Sequence, residues 1–281
     1  MRKIIIPTDF SENAMNAIKY ALELFKYDRS QFIVLHAYAD DVYENTLEMS
    51  REFFEEYKEK VKEASDRGLQ KVVKEMLEIS PNPKHEYNFV SVFASLVDAT
   101  NDLADKENMD LIVMGTKGKT DQRDITFGSE TLQVIKYVKC PVLAVPQRFH
   151  KVDLQHILFP TDYLIPYQRR ELKLVNTIAR NFCATLRCLF ISKWEKLSHR
   201  QKDNQTFLDE CMQEMEVKHL CMEDDDRTKA INEAIQSHEI DLLVMVNSRH
   251  SYMERLLDTS TIDKLGLHIE IPFLILQNLP R

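Results

Sequence analysis

Glycine is scarce in this sequence, and long apolar runs are missing from it. Only five of the 281 residues are glycine. No apolar run approaches the roughly 18 residues that a membrane-spanning helix requires. The first apolar segment, Ile4–Ile6, stops at Pro7, whereas the core of a secretory signal peptide is longer. We therefore expect a cytoplasmic protein without a membrane-spanning segment.

Paired cysteines and clustered metal ligands are also missing. The five cysteines are scattered without a CxxC pair, which is typical of reduced thiols in a cytoplasmic protein. The nine histidines form no HExxH motif or other close group. The sequence has no Walker A loop, no GxGxxG and no GxSxG. It thus predicts neither a protein metal site nor a recognisable set of catalytic residues.

The charge balance is acidic. The chain has 45 Asp and Glu residues against 37 Lys and Arg residues, which gives a net charge of -8. Such a surface repels nucleic acid and anionic membranes, so neither is an expected partner. Hydrophobic residues make up 44% of the chain, which is ordinary for a globular protein, and the length suggests two domains.

Three segments recur in the same order in the two halves of the chain. The offsets are 153, 131 and 131 positions, and the pairs are Ile4–Phe10 with Ile157–Tyr163, Asp110–Met114 with Asp241–Met245, and Cys140–Val145 with Ile271–Leu276. Three ordered matches predict a tandem repeat of one module. A short polar segment separates the copies, so we expect a first domain over residues 1–148 and a second over residues 152–281.

Strands and helices alternate within the first copy. Short apolar runs without alternation suit parallel strands that are covered on both faces. The expected strands are Ile4–Ile6, Phe32–Leu35, Tyr87–Val92, Leu111–Met114 and Val142–Val145. The expected helices are one with an N-cap at Ser11, a long one over Tyr43–Ile79 that carries Phe53, Phe54, Tyr57, Val61 and Ala64 on one side, one over Leu96–Asp105, and one that opens at Gly128.

The second copy repeats this alternation. Its expected strands are His156–Phe159, Leu186–Ile191, Val217–Met222, Leu242–Val246 and Phe273–Leu276, and its expected helices are Arg169–Asn181, Leu197–Glu214, Thr228–Ser237 and Ser260–Leu265. Strands that alternate with helices predict an open parallel α/β sheet with right-handed crossovers. Ligands of such sheets bind beyond the carboxyl ends of the strands, where the strand order reverses.

A glycine pattern after the fourth strand is the strongest functional signal. The pattern G-x2-G-x9-G-S contains three of the five glycines and consists of Gly115, Gly118, Gly128 and Ser129. Glycines let backbone N–H groups approach a phosphate, and the N-terminus of the following helix attracts an anion. Lys117 and Lys119 would add positive charge. The alternative interpretation is a glycine-rich turn that binds no ligand.

These segments resemble the universal stress protein family. The resemblance rests on Pro7–Ser11, His36–Ala37, Asp110–Gly115, the glycine pattern and Cys140–Val142, and it extends over both copies. It implies two tandem doubly wound domains, each with a five-stranded parallel sheet of the adenine nucleotide alpha-hydrolase-like type. It also implies that ATP is the ligand of a copy that retains the glycines.

The resemblance implies a role for each residue of the site. The adenine and ribose pocket would be lined by Pro7, Thr8 and Asp9, with Ala37 at the base edge and Met114 and Gly115 beside the ribose. The phosphates would lie near Lys117 and Gly118 and be capped by Gly128, Ser129, Glu130 and Thr131. Glu130 departs from the small or apolar residue that is common there. Its carboxylate would repel a triphosphate unless Mg²⁺ intervenes or the side chain turns away.

Asp9 also has a structural interpretation. An Asp that follows a strand often caps the next helix, and Asp9 or Ser11 can do only that. The two roles are compatible with each other.

The second copy lacks the glycines of the pattern. Val246, Arg249 and Thr259 stand where the first copy has glycine, and only Ser260 is retained. Side chains at these positions would obstruct a phosphate, so we expect ATP in the first domain only. Arg249 and His250 are interpreted as a solvated loop, with another anion site as the alternative.

Two functions follow from these observations. The first is an ATP-binding regulatory protein of the stress response, and the alternative is a nucleotide-independent scaffold that presents its tandem domains to a protein partner. No general base accompanies the loop, so ATP hydrolysis should be slow or absent. The apolar last strands, Val142–Val145 and Phe273–Leu276, are expected to pair within the chain as a pseudo-dimer. A homodimer is compatible with this arrangement.

Overall fold

A computed structural model describes residues 1–47, 49–118, 127–147, 152–192, 196–213, 215–247 and 270–278. The chain divides into two compact units. The first contains the described residues up to Gln147 except Phe127, and the second contains Phe127 and the described residues from 152 onward. None of the helices in the described ranges combines the length and the apolar character that a membrane crossing requires.

The first unit is a five-stranded parallel sheet with helices between its strands. Its elements are β1 (Arg2–Pro7), α1 (Glu12–Leu24), β2 (Ser30–Ala37), α2 (Ala39–Thr46), α3 (Arg51–Ile79), β3 (His85–Val92), α4 (Leu96–Glu107), β4 (Leu111–Gly115), α5 (Ser129–Tyr137) and β5 (Val142–Val145). The strand order is β3-β2-β1-β4-β5, and all neighbours are parallel. The order reverses between β1 and β4, which places the expected ligand crevice beyond Pro7 and Gly115.

The core of the first unit consists of the central strands and the inner face of α1. Ile4, Ile5 and Ile6 are fully buried between the helices on the two faces of the sheet, as expected of a parallel strand without alternation. The helical spacing of Ala17, Ile18 and Ala21 also places all three in the core. The predicted doubly wound fold of the first half is confirmed.

The long helical stretch differs from its prediction. The chain forms two helices, α2 and α3, with a break after Thr46 that ends where the Ser50 hydroxyl accepts the Phe53 N–H at 3.4 Å. The predicted side of Phe53, Phe54, Tyr57, Val61 and Ala64 is not a buried face, because Phe53 and Ala64 are exposed. The buried positions of α3 lie mainly in its second half and are Ser65, Leu69, Val72 and Met76.

The second unit repeats the topology. Its elements are β6 (His156–Pro160), α6 (Arg169–Phe182), β7 (Thr185–Ile191), α7 (His199–Cys211), β8 (Val217–Met222), α8 (Arg227–Ser237), β9 (Leu242–Asn247) and β10 (Phe273–Gln277). The order β8-β7-β6-β9-β10 is again parallel throughout. Helix α7 is shorter than predicted, since Ser198 forms a capping box with Gln201. The predicted helix over Ser260–Leu265 lies outside the described residues.

Candidate functional site

The turn after β1 presents Asp9 at the carboxyl edge of the first sheet. The Thr8 N–H donates to Leu35 O at 2.9 Å, and the Thr8 hydroxyl accepts the Phe10 N–H at 3.0 Å. Asp9 Oδ1 accepts the Ser11 N–H at 3.0 Å, which fixes the carboxylate within the turn. The N-cap of α1 is Ser11, whose hydroxyl accepts the Ala14 N–H at 3.1 Å. The predicted cap at Ser11 is confirmed.

The glycine loop closes on itself at the same edge. The Gly128 N–H donates to Thr116 O at 2.8 Å. A Cβ built on Gly128 would lie 3.5 Å from Lys117 Cα and 3.8 Å from Gly118 N. Residues that are ten or more positions apart in the sequence are therefore adjacent in space. Gly128 is also the N-cap of α5, so this helix begins without a side-chain cap.

Two carboxylates flank Gly118. A Cβ built there would lie 3.2 Å from Asp9 Oδ2 and 3.9 Å from Glu130 Oε2. The φ angle of Gly118 lies outside the left-handed region, so glycine is required here for space and not for backbone conformation. The Glu130 carboxylate is directed toward the loop. The site therefore combines an exposed helix N-terminus with two negative charges.

Asn13 is a site residue that the sequence did not indicate. Its side chain is 3% exposed, and its Nδ2 donates to Lys117 O. A Cβ built on Gly115 would lie 2.6 Å from this Nδ2. The sequence interpretation attributed Gly115 to the approach of a ligand, and the structure adds that glycine at this position makes room for Asn13. Within the described part of the chain, Asn13 Oδ1 is buried and has no hydrogen-bond partner.

The side chains of Met114 and Thr131 serve the interior of the unit. Met114 is buried in β4. The buried Thr131 hydroxyl donates to Gly115 O at 3.0 Å and so ties the start of α5 to the end of β4. Met114 and Thr131 therefore support the carboxyl edge of the sheet from the interior of the unit. Ser129 and Glu130 are exposed at its surface.

An aromatic and hydroxyl network lies beside Ala37, the last residue of β2. Phe10 adopts a left-handed backbone conformation with φ of 61°, and its ring approaches the position of a Cβ on Gly68 to 2.7 Å. The Phe10 ring also packs on His36, with 4.6 Å between the centroids. His36 Nδ1 bonds the buried Ser65 hydroxyl at 2.8 Å. This network explains why a serine occupies the buried face of α3.

The predicted residues are distributed as follows. One edge of the sheet gathers the turn after β1, the loop after β4 and the start of α5, and it carries Pro7, Thr8, Asp9, Gly115, Lys117, Gly118, Gly128, Ser129 and Glu130. Ala37 ends the neighbouring strand β2. Lys119, Arg249, His250, Thr259 and Ser260 lie outside the described residues. Among the residues that are described, no three His, Cys, Asp or Glu side chains group as metal ligands.

Comparison with known proteins identifies the family that this chain resembles in sequence. Residues 1–146 match the sequence model described as the universal stress protein family. One universal stress protein of Methanocaldococcus jannaschii is 34% identical over 155 residues, which cover 51% of this chain and 81% of that protein. A second one from the same organism is 29% identical over 159 residues, which cover 52% and 96% of the two chains.

A solved structure extends the fold comparison to both halves. The crystal structure of a universal stress protein from Archaeoglobus fulgidus superimposes with a TM-score of 0.68 at 15% sequence identity. It covers 98% of this chain and 96% of its own. At this identity the match shows the fold alone, and the fold is shared over essentially the whole length of both chains.

Proposed function

Because the chain belongs to the universal stress protein family, we propose that its first unit binds one adenine nucleotide and that the protein acts as a nucleotide-dependent regulator in the stress response. The observation that supports this proposal is the close contact of Gly128 with Lys117 and Gly118, next to the Asp9 carboxylate. The N-terminus of α5 thus lies at the carboxyl edge of the sheet, where the strand order reverses between β1 and β4.

The phosphate end of the ligand would occupy the loop. The N-terminus of α5 carries backbone N–H groups and the positive end of the helix dipole, which favour an anion. Gly118 and Gly128 leave the approach to the backbone clear of side chains. Each charge-assisted hydrogen bond to a phosphate oxygen contributes roughly 1.5–3 kcal/mol. Lys117, which precedes Gly118 and contacts Gly128, would add positive charge.

The sugar and base would lie toward β1 and β2. Asp9 offers Oδ2 as an acceptor, and hydroxyl groups of a ribose are donors of the matching kind. Pro7 ends β1, Thr8 follows it, and Ala37 ends β2, so all three border the same crevice. The roles implied by the family resemblance are compatible with these positions.

The two carboxylates around Gly118 suggest that the nucleotide arrives with Mg²⁺. A carboxylate about 4 Å from a phosphate charge is repulsive by roughly 1–4 kcal/mol, depending on the local dielectric. Mg²⁺ binds carboxylates and phosphate oxygens together and keeps several waters. Asp9 and Glu130 would then act through the ion or its waters, and the protein needs no metal site of its own.

We propose a binding function and not a catalytic one. We assign the two carboxylates of the described site, Asp9 and Glu130, to Mg²⁺ or its waters and not to proton abstraction, and phosphate binding alone is not catalysis. Hydrolysis should therefore be slow or absent. We further propose that the second unit binds no ATP, since its sequence has Arg249 and Thr259 at the positions of Gly118 and Gly128.

The test is to identify the nucleotide and count it. Mass spectrometry of small molecules released from the purified protein should detect an adenine nucleotide, and calorimetry with Mg²⁺–ATP should give a stoichiometry near one per chain. Gly128→Val should abolish binding. A Cβ at this position meets protein atoms only at ordinary contact distances, of which the shortest is 3.5 Å, so the variant should fold. Thr259→Val in the second copy is the matched control and should bind normally.

Three results would contradict the proposal. Two equivalent sites per chain, or a single site that survives Gly128→Val, would assign the nucleotide to another place. Absence of both retained nucleotide and measurable ATP binding would favour the nucleotide-independent scaffold.

A further inference from the structure

The first half of α3 carries an apolar stripe that this chain leaves accessible. The stripe consists of Phe53, Phe54, Tyr57, Val61 and Ala64. At about 100° per residue, these side chains span roughly 100° of the helix surface, which is the width of a face that normally packs against a core. The structure describes every residue from 51 to 64, and none of them is buried. A complete amphipathic face therefore lies at the surface of the first unit.

Helix α2 widens this stripe into a continuous surface. The Tyr43 ring contacts the Phe54 ring at 5.8 Å between the centroids, and Phe53 stacks on Tyr57 at 6.1 Å. Leu47 follows Tyr43 by one helical turn and lies on the same side of α2. Tyr43 is 51% exposed, Leu47 82% and Phe53 40%. Contiguous exposed apolar side chains mark an interaction site. We call these five residues the aromatic surface.

Contacts within the unit hold the aromatic surface in place. Phe93, which follows β3, contacts the Tyr43 ring at 5.5 Å and the Phe54 ring at 6.2 Å between the centroids. Val42 and Thr46 are buried and anchor α2 in the interior. A surface that is already ordered lowers the entropic cost of binding a partner.

Acidic side chains border the aromatic surface on both helices. On α2, Asp40 and Glu44 each stand three positions before an apolar residue of the surface. On α3, Glu56 stands three positions after Phe53, and residues at this spacing are neighbours on a helix. All three carboxylates are exposed. Between residues 39 and 57 the sequence has seven acidic residues and one basic residue, Arg51.

This charge restricts what can cover the aromatic surface. A nucleic acid or an anionic membrane would be repelled by the acidic border. A second copy of this chain in a two-fold contact would present the same residues from both sides, so the two acidic borders would repel each other. An apolar segment with basic residues beside it matches both the stripe and its border.

We propose that the aromatic surface binds an amphipathic helix of a partner protein that carries basic residues on the flanks of its apolar face. A helix that lays its apolar face on a hydrophobic surface is a common mode of peptide recognition. Leu47 and Phe53 would be the apolar anchors, and Glu44 and Glu56 would contact the basic residues. The surface shares no residue with the nucleotide site proposed above, so either proposal can fail without the other.

Three peptides test the two requirements of the surface separately. The first is a helical peptide of about 14 leucine and lysine residues with all leucines on one face. The second has glutamate in place of every lysine, and the third has the composition of the first in an order without an apolar face. Fluorescence anisotropy with the full chain should rank the first peptide tightest. Each of the other two should bind at least about tenfold more weakly, and equal binding of the lysine and glutamate peptides would overturn the proposal.

A variant of the two apolar anchors assigns the binding to the aromatic surface. Leu47→Ser combined with Phe53→Ser should weaken binding of the lysine peptide by about tenfold or more. Both side chains are exposed, so the variant should fold, which circular dichroism checks. Unchanged affinity in the folded variant would contradict the proposal. Sedimentation should give the same oligomeric state for the variant and the unaltered protein; dissociation of a dimer by these substitutions would assign the surface to a second copy instead.

A variant of the border separates local charge from net charge. Glu44→Gln combined with Glu56→Gln should weaken binding of the lysine peptide by about fivefold and reduce its dependence on salt. The matched control is Glu78→Gln combined with Glu86→Gln, which removes the same charge from the last turn of α3 and the start of β3 and should bind normally. An equal loss in both variants would show that the peptide responds only to net charge, and the proposal would then be wrong.

Discussion

Replacing Gly115 with alanine tests whether Asn13 shapes the end of β4. A Cβ at position 115 would lie 2.6 Å from Asn13 Nδ2 and 2.8 Å from Asn13 Cγ, roughly 1 Å inside normal contact. Asn13 is buried on α1 and cannot swing into solvent. We expect Gly115→Ala to destabilise the first unit by about 1–3 kcal/mol through overpacking. Breaking the bond from Asn13 to Lys117 O would add about 1 kcal/mol.

The loss of stability caused by Gly115→Ala should disappear when Asn13 is also replaced. Asn13→Ala alone should lose about 1 kcal/mol for the hydrogen bond, partly offset because the unpaired, buried Oδ1 is removed with it. In the Asn13→Ala background, the methyl group of Gly115→Ala no longer meets the Asn13 side chain. The substitution should then lower the free energy of unfolding by less than about 1 kcal/mol. The double-mutant cycle should therefore give a coupling energy of about 1–3 kcal/mol.

Urea unfolding followed by circular dichroism measures these differences. Because the chain has two units, their transitions are fitted separately wherever they do not coincide. Gly128→Ala is the matched control, since its cost as an N-cap change, at most about 1 kcal/mol, should not depend on residue 13. An equal cost of Gly115→Ala in both backgrounds would refute the proposed packing role of Asn13.

Three further predictions concern charge and chemistry. Glu130→Gln should strengthen binding of ATP without Mg²⁺ by about fivefold, since about 1 kcal/mol of repulsion at an exposed site is removed; calorimetry with and without EDTA measures this, and equal affinity of both proteins would contradict it. ATP turnover by pure protein should stay well below about one per second in a coupled phosphate assay, because Asp9 and Glu130 are assigned to Mg²⁺ or its waters and not to proton abstraction; faster turnover that Gly118→Ala abolishes would show the opposite. Burial lowers the pKa of His85, so below about pH 6.5 the unfolded chain binds more protons and stability falls as the pH drops; the urea midpoint should shift less between pH 7 and about 5.5 in His85→Gln than in the unaltered protein.

Much of the fold could be predicted from the sequence, because its signals are periodic and repeated. Parallel strands that are covered on both faces give short apolar runs such as Ile4–Ile6 and Leu111–Met114, and each run occurs twice. The break between α2 and α3 was missed because the apolar spacing continues through it. The buried face of α3 was not predicted, because Ser65, a polar residue, occupies it through bonds to His36 and Ser91.

The candidate site could be predicted only where glycine marks it. Gly118 and Gly128 are rare residues at a fixed spacing, so the loop was visible. Asn13 lies on a helix whose pattern gives no reason to single it out, and its contact with Gly115 depends on how α1 crosses β4.

The contact between Phe10 and Gly68 has a consequence for attempts to stabilise this protein. Glycine within a helix is destabilising by roughly 1 kcal/mol relative to alanine, and a left-handed conformation at phenylalanine is strained by a similar amount. Both unfavourable features meet where the chain leaves β1 and turns Asp9 toward Gly118. A substitution chosen for helix propensity would replace Gly68 with alanine, yet the new methyl group would meet the Phe10 ring at 2.7 Å. A substitution at Gly68 that is meant to raise thermostability would therefore displace Phe10 and, with it, the neighbouring Asp9 carboxylate.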